Sequence, residues 1–477
     1  MFDVCIIGSG IVGSLCALKL SKYQLDVLLL DKDNDVGNEA SSANSAIIHS
    51  GHDPKDNTLK SKLNIRGNQL WEELANELSI DFKRVGAFVV ATNEDEEIAL
   101  KKLYQRTLKR GIEAKLLDRN EAQKCEPHLS DSVSLVMSLP STAIITPWEA
   151  SVASVENAVD NSVVLELNQK VIAIEKKENC FEIKTESNCF EAKIIINSAG
   201  IYADDIYRLV SPQYPLHINP RRGEYFVLDR FCEPFISRVI YPMPSSIGKG
   251  ILAVPTIHNN VLLGPNSENI TDKEDIATTS IALNYVKEEI KKTIKDIPFD
   301  KVIRSYSGIR ASIESEDFII EEAKDIDNFI NCIGIDSPGL ASAPAIAEYI
   351  IENIFKNKID LKEKENIVKR RPWTNINRLS LEERQAFVEK DKLYGHIICR
   401  CEHVSEAEII DVIHRNAGAR STKAVKHRCR PGAGRCQGGF CEPRIIEILA
   451  RELKIDPTEV VLDSKDSKIL YPRMGEL

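Results

Sequence analysis

FDVCIIGSGIVGSLCALKLSKYQLDVLLLD, residues 2–31, begins with a short apolar run that stops at Gly8. Apolar residues at helical spacing follow in "IVGSLCALKLSKY", and "LDVLLLD" reads as a second buried-type strand. The order is strand, helix, strand, a βαβ unit. Gly8, Gly10 and Gly13 fall between the first strand and the helix. The first glycine permits the tight turn, the second lets a pyrophosphate approach the backbone, and the third lets helix and strand pack closely. The helix start then offers unpaired N–H groups and the positive end of its dipole to phosphate. Asp31 ends the second strand 18 residues after Gly13, placed for ribose hydroxyls. A lone G-x-G-x-x-G is also compatible with a glycine-rich turn. Strand, helix and acid in sequence favour a bound dinucleotide.

Working outward, 477 residues suggest about three domains. Hydrophobic content of 43% and charged content of 28% are ordinary for a globular chain. A net charge of −10 argues against a nucleic-acid or acidic-membrane surface. No apolar run approaches the ~20 residues that span a bilayer. The start lacks the basic and small-residue signature of a signal peptide. Twelve scattered cysteines imply reduced thiols and a cytoplasmic setting, with Cys5, Cys16 and Cys332 as small buried hydrophobes. The stretch from about 210 to 330 alternates strand-like pieces with Pro and Gly, which reads as an antiparallel sheet. Around 356–395 charge dominates, marking a connector. In the tail, Ser405 and Glu408 form a capping-box pattern, and Pro443 suits a helix first turn.

That tail carries "CRCEHV" at 399–404 and "GRCQGGFC" at 434–441. Disulfides, zinc and an iron–sulfur cluster all use cysteines. The spacing is C-x-C, 34 residues, then C-x4-C, and C-x-C is cramped for a zinc knuckle. A [2Fe–2S] cluster wants four thiolates, two per iron. Cys399, Cys401, Cys436 and Cys441 are therefore the candidate metal ligands, with Cys429 as a spare thiol. Arg400, Arg428, Arg430 and Arg435 crowd the region and are expected to offset an anionic cluster.

Only one dinucleotide fingerprint is present, whereas a flavoenzyme that also binds NAD usually carries two. "KIIINSAGIYADDI" (193–206) and "FINCIGIDSPGLASAPAIAEYI" (329–350) are each a strand running into a small-residue turn and a helix. Small residues there let a large planar cofactor lie against the backbone. The three glycines, "SSANSAIIHSG" (41–51), "NSAGIYADD" (197–205), "RRGEY" (221–225) and "GIDSPGL" (334–340) resemble the D-amino-acid-oxidase-type flavoprotein family. The match is closest to its branch of glycerol-3-phosphate and L-2-hydroxyglutarate dehydrogenases. The tail resembles the [2Fe–2S] domain of bacterioferritin-associated ferredoxin, which occurs appended to the anaerobic type of glycerol-3-phosphate dehydrogenase.

The resemblance implies an α/β chain with a Rossmann-like FAD domain assembled from 1–80, 145–212 and 328–365. Into it is inserted an α+β, antiparallel-sheet substrate domain of 81–144 and 213–327. A connector (366–393) and a small helical [2Fe–2S] domain (394–477) follow. It implies FAD contacts from Gly8, Gly10, Ile11, Val12, Gly13, Asp31, Lys32, Ser42, Asn44, Ser45, His49, Val171, Ala199, Gly200, Gly334, Ser337, Pro338, Gly339 and Leu340. Members oxidise a C–H beside a hydroxyl or amine, so the chain must bind an anionic group and accept a proton.

Arginine's planar fork suits phosphate or carboxylate. Arg222, Arg310 and Lys249 are the candidate substrate cations, each beside Gly in strand-rich sequence, with surface charge as the alternative. Arg221 is expected to face away from Arg222. His49 is a candidate proton acceptor, flavin contact or flavin tether, with His258 as a weaker base and Tyr225 as a hydrogen-bond donor. The expected activity is oxidation of glycerol-3-phosphate or a similar 2-hydroxy acid. L-2-hydroxyglutarate and amine or imino-acid substrates are the alternatives. The expected partners are a small anionic substrate and an electron-accepting protein or subunit, with membrane contact only through that partner.

Overall fold

The computed structural model describes residues 1–244 and 250–471. Its first sheet has eight strands. Phe2–Ile7 lies in the middle, parallel to Val27–Leu30 on one side and to Cys189–Asn197 on the other. Phe329–Ile333 extends the parallel set beyond Cys189–Asn197. Val27–Leu30 and Phe329–Ile333 are buried along their whole length, as strands covered on both faces must be. Helices Ile11–Leu20, Pro147–Asp160, Leu59–Leu78 and Gly339–Tyr349 share one core with one face. Helix Ala203–Val210 packs on the other.

The glycine fingerprint is where this sheet is most constrained. Gly8 has φ +100°, and a side chain there would strike the backbone of Ser198 and Ala199. A Cβ on Gly13 would lie 1.9 Å from the Gly8 carbonyl oxygen, so helix Ile11–Leu20 rests directly on the strand end.

The second sheet has nine strands, with Asn219–Leu228 and Val302–Ser312 as its longest antiparallel pair. It is not purely antiparallel. Val239–Pro242 runs parallel to Ala87–Ala91, because the chain enters this sheet twice and the two visits meet there. Ile319–Glu322, numbered within the inserted stretch, pairs instead with Phe329–Ile333 in the first sheet.

Residues 397–460 form a helical body with its own core, including Ile409, Val425, Ile445 and Leu449. The Ser405–Glu408 capping box is present, and Pro443 stands in the first turn of Glu442–Leu453. This body is docked by buried polar contacts. Arg428, 0% exposed, donates two hydrogen bonds of 2.6 and 2.8 Å to Asp35, 3% exposed, in the loop after Asp31. Glu156 accepts from Arg370, Trp373 and Arg415, and His427 stacks on Trp148 at 5.1 Å. Among the described residues no helix is long and apolar enough to cross a membrane.

Candidate active site and thiol centre

The Gly8–Gly13 turn, the Ser198–Gly200 turn and the 41–45 loop converge. Gly10, at the N-cap of helix Ile11–Leu20, supplies no side-chain hydrogen bond, and Ser41 Oγ accepts from Ile11 N at 2.8 Å. Val12 is buried in the first turn. Asp31 accepts from Ser9 N and Ser9 Oγ, both at 2.6 Å, and from Asp33 N at 3.0 Å. A carboxylate has about four lone-pair sites, which leaves capacity for one ribose hydroxyl. Burial pushes the Asp31 carboxyl up from its ordinary range. Lys32 is held by Glu39 at 2.7 Å and lies over the Tyr202 ring. Val171 is buried in the strand that follows Gln169, whose N–H donates to the Asp31 carbonyl.

Ser42 Oγ donates to the Asn38 carbonyl, and Asn44 is bonded to the backbone of Ala40, Ser41 and Ala46. Ser45 Oγ shares a 3.0 Å hydrogen bond with Tyr225, and Tyr306 donates to the Asn44 carbonyl at 2.9 Å. A Cβ on Gly308 would lie 1.9 Å from the Ala43 carbonyl oxygen, so the loop lies flat on the second sheet there. Tyr225 thus ties the cofactor-side loop to the second sheet. At the late turn, Gly334 has φ +72°, Ser337 and Pro338 precede the helix, and Gly339 N donates to the Asp336 carbonyl. The Leu340 carbonyl accepts from Trp71. Lys60 pairs with Asp336 at 2.5 Å, a brace for this turn that no local motif announced.

Register sorts the arginines. Arg221 pairs with Arg310, Gly223 with Gly308 and Tyr225 with Tyr306, so these six share the face against the 43–45 loop. Arg222 points the other way. It is buried on Glu268 at 2.9 Å and Asp275 at 2.6 Å, with Glu224 3.5 Å away. Arg221 is exposed and Arg222 buried, on opposite faces as strand alternation requires, and three carboxylates already answer the charge of Arg222. Arg310 makes one long contact, 3.4 Å to the Asn266 carbonyl, and Arg221 one of 3.3 Å to Asn269. Lys249 lies outside the described residues.

His49 Nδ1 shares a 3.0 Å hydrogen bond with Tyr241, and the two rings stack at 5.7 Å. Its carbonyl is fixed by Asn64 and Asn68. Burial raises the Tyr241 phenol well above its ordinary value, so it stays protonated. His258 lies elsewhere, near the C-terminal body. Burial and the cations Arg430, Arg378, Arg230 and Lys83 push it down to about 2, so it remains neutral.

The thiols come in two pairs. Cys401 and Cys436 are 3.7 Å apart, and Cys399 is hydrogen-bonded with Cys441. The contact between the second pair draws Cys399 down to about 6 and pushes Cys441 up. Among the described residues no three potential ligands converge as on a single metal ion. Two thiol pairs instead match one iron per pair, as a [2Fe–2S] cluster requires. Cys429 is bonded to the Val425 carbonyl of its own helix. Of the neighbouring arginines, Arg428 binds Asp35, Arg430 binds Glu402 and Arg435 binds Asp229, and Arg435 also feels the Cys401 thiol.

The FAD dependent oxidoreductase family profile matches residues 3–353, and the BFD-like [2Fe-2S] binding domain profile matches 397–451. The chain is 47% identical to the glycerol 3-phosphate dehydrogenase of Caloramator mitchellensis over 98% of each chain. It is 28% identical to the mitochondrial L-2-hydroxyglutarate dehydrogenase of Arabidopsis thaliana, covering 74% of this chain and 83% of that one. The structure of dithionite-reduced L-alpha-glycerophosphate oxidase from Mycoplasma pneumoniae, solved with FAD bound, superimposes with a TM-score of 0.73 at 29% identity. It covers 78% of this chain and 99% of that one. The two matches span the glycine cradle and the paired thiols, and the chain belongs to the FAD-dependent oxidoreductases, with a C-terminal [2Fe–2S] domain.

Proposed function

We propose that this chain oxidises sn-glycerol-3-phosphate to dihydroxyacetone phosphate and delivers the electrons to a partner protein. The carrying observation is the 47% identity to a glycerol 3-phosphate dehydrogenase, which runs through both the FAD part and the C-terminal domain. When bound, FAD supplies the hydride acceptor and the cluster a one-electron outlet. Arg310 and Arg221, on the face toward the 43–45 loop, would bind the phosphate through charge-assisted hydrogen bonds. His49 would take the hydroxyl proton. The Tyr241 hydroxyl, bonded to Nδ1 at 3.0 Å, would orient the ring for that step. None of the twelve cysteines is in a disulfide, in keeping with a cytoplasmic location.

Losing a charge-assisted contact costs roughly 1.5–3 kcal/mol, so Arg310→Ala is expected to slow flavin reduction at limiting substrate by about ten- to a hundredfold. Arg222→Met should leave that rate within about twofold, because Arg222 faces other carboxylates. Stopped-flow flavin bleaching reads both, and an unchanged Arg310→Ala rate would count against the phosphate assignment. Tyr241→Phe is expected to slow the same step about tenfold and to move the acid limb of its pH profile. An unmoved limb would remove His49 from the role of base. Anaerobically handled protein should hold close to one FAD and two irons per chain, from one fingerprint and four paired thiols. Stoichiometric zinc without iron after reconstitution would overturn the cluster.

A further inference from the structure

The segments that carry the four cysteines have two different sides. One is tied into the molecule. Arg230 donates to the Cys401 carbonyl at 2.6 Å, and Glu402 is buried between Arg230 and Arg430. Arg435 reaches Asp229 at the end of strand Asn219–Leu228. The other side is bare. Phe440 sits one residue before Cys441 and is 85% exposed, the most exposed large hydrophobic side chain among the described residues. Such exposure of an aromatic costs solvation free energy and marks an interaction site when other features agree.

Charge agrees. In residues 399–403 and 434–444 the exposed charged side chains are Arg400, Arg435 and Arg444, while Glu402 is buried and Glu442 half-buried; Glu447 follows as an exposed acid one turn further on. Arg435 remains 79% exposed despite its contact with Asp229. The cysteine-bearing segments thus present an exposed aromatic together with exposed cations on a chain of net charge −10. Cations on an acidic protein steer an acidic partner to one place and keep it from docking elsewhere.

We infer that the Gly439–Phe440 turn, with Arg400 and Arg444 exposed on the same cysteine-bearing segments, is the docking site of a small acidic one-electron carrier protein, with Phe440 entering an apolar recess on the carrier. This rests on the reading of the chain as an electron donor to a partner. For each alcohol oxidised to a ketone, two electrons and two protons leave the substrate. Two carrier molecules take one electron each, and the protons go to solvent.

The test uses the whole protein, reduced chemically with dithionite and desalted under anaerobic conditions, so that it does not depend on the identity of the substrate. Oxidised rubredoxin is the acidic probe, cytochrome c the basic one and uncharged 1,4-benzoquinone the small acceptor. Rubredoxin reduction is expected to slow as salt is added. It should fall at least tenfold in Phe440→Ser and in Arg400→Glu/Arg444→Glu, with benzoquinone reduction within about twofold of wild type. The arginine variant decides the matter if Phe440→Ser loses iron. Unchanged rubredoxin rates in the arginine variant, or a salt-sensitive preference for cytochrome c, would overturn the assignment. Failure of glycerol-3-phosphate to reduce the flavin would instead overturn the substrate reading.

Discussion

Arg428→Met should destabilise the docked C-terminal body by about 3–5 kcal/mol. Arg428 is fully buried and makes two of its four hydrogen bonds to Asp35 across the junction with the nucleotide-binding part, the other two going to the carbonyls of Ala417 and Ala424. Met keeps much of the length of the side chain but none of its charge, so Asp35 is left as an uncompensated buried carboxylate. Replacing both partners removes that penalty, and Arg428→Met/Asp35→Leu is expected to recover most of the loss. Urea unfolding monitored through the C-terminal body, with proteolysis of the charged 356–395 stretch as the readout of undocking, checks both variants. A loss below about 1 kcal/mol in the single variant would mean that the pair is not what holds the junction.

Cys401→Ser is expected to abolish the cluster and all electron delivery to a protein carrier, while substrate still bleaches the flavin. Cys401 and Cys436 form one of the two thiol pairs, and a hydroxyl in place of a thiolate removes a ligand from one iron. The glycine cradle that would hold FAD shares no residue with that pair. Cys429→Ser should keep both irons, because its sulfur is turned to the Val425 carbonyl. Iron analysis and electron paramagnetic resonance of the reduced variants separate these outcomes. Loss of iron in Cys429→Ser would show that a different four cysteines are used.

The parts legible in the sequence are those set by local sterics. Gly13 could be read because any side chain there meets the Gly8 carbonyl five residues earlier, whereas the backbone that excludes a side chain at Gly8 belongs to distant Ser198 and Ala199. The capping box at Ser405 and Glu408 could be read for the same reason, since both partners lie within four residues. The four cysteines could be read as a set, whereas their pairing as Cys401 with Cys436 and Cys399 with Cys441 needed the fold.

What depends on a distant partner could not be read. Alternation along "RRGEY" correctly separates Arg221 from Arg222. Which of them faces the cofactor side is set by Gly308 and Tyr306, some eighty residues later in the chain. The carboxylates that hold Arg222 come from Glu268 and Asp275, and the partner of Arg428 is nearly four hundred residues away at Asp35. Tyr225 and Tyr306 found their role only once strands Asn219–Leu228 and Val302–Ser312 were paired. The parallel step between Val239–Pro242 and Ala87–Ala91 arises from two separate visits of the chain to one sheet, which strand patterning within either visit does not reveal.

The most direct measurement mixes the oxidised holoprotein anaerobically with sn-glycerol-3-phosphate, L-2-hydroxyglutarate or L-proline and follows flavin bleaching and the paramagnetic signal of the reduced cluster. With two arginines facing the 43–45 loop and near full-length similarity to a glycerol 3-phosphate dehydrogenase, sn-glycerol-3-phosphate should bleach the flavin fastest, with the cluster signal appearing afterward. Faster bleaching by L-2-hydroxyglutarate or L-proline, or a cluster that stays oxidised while the flavin is reduced, would contradict it.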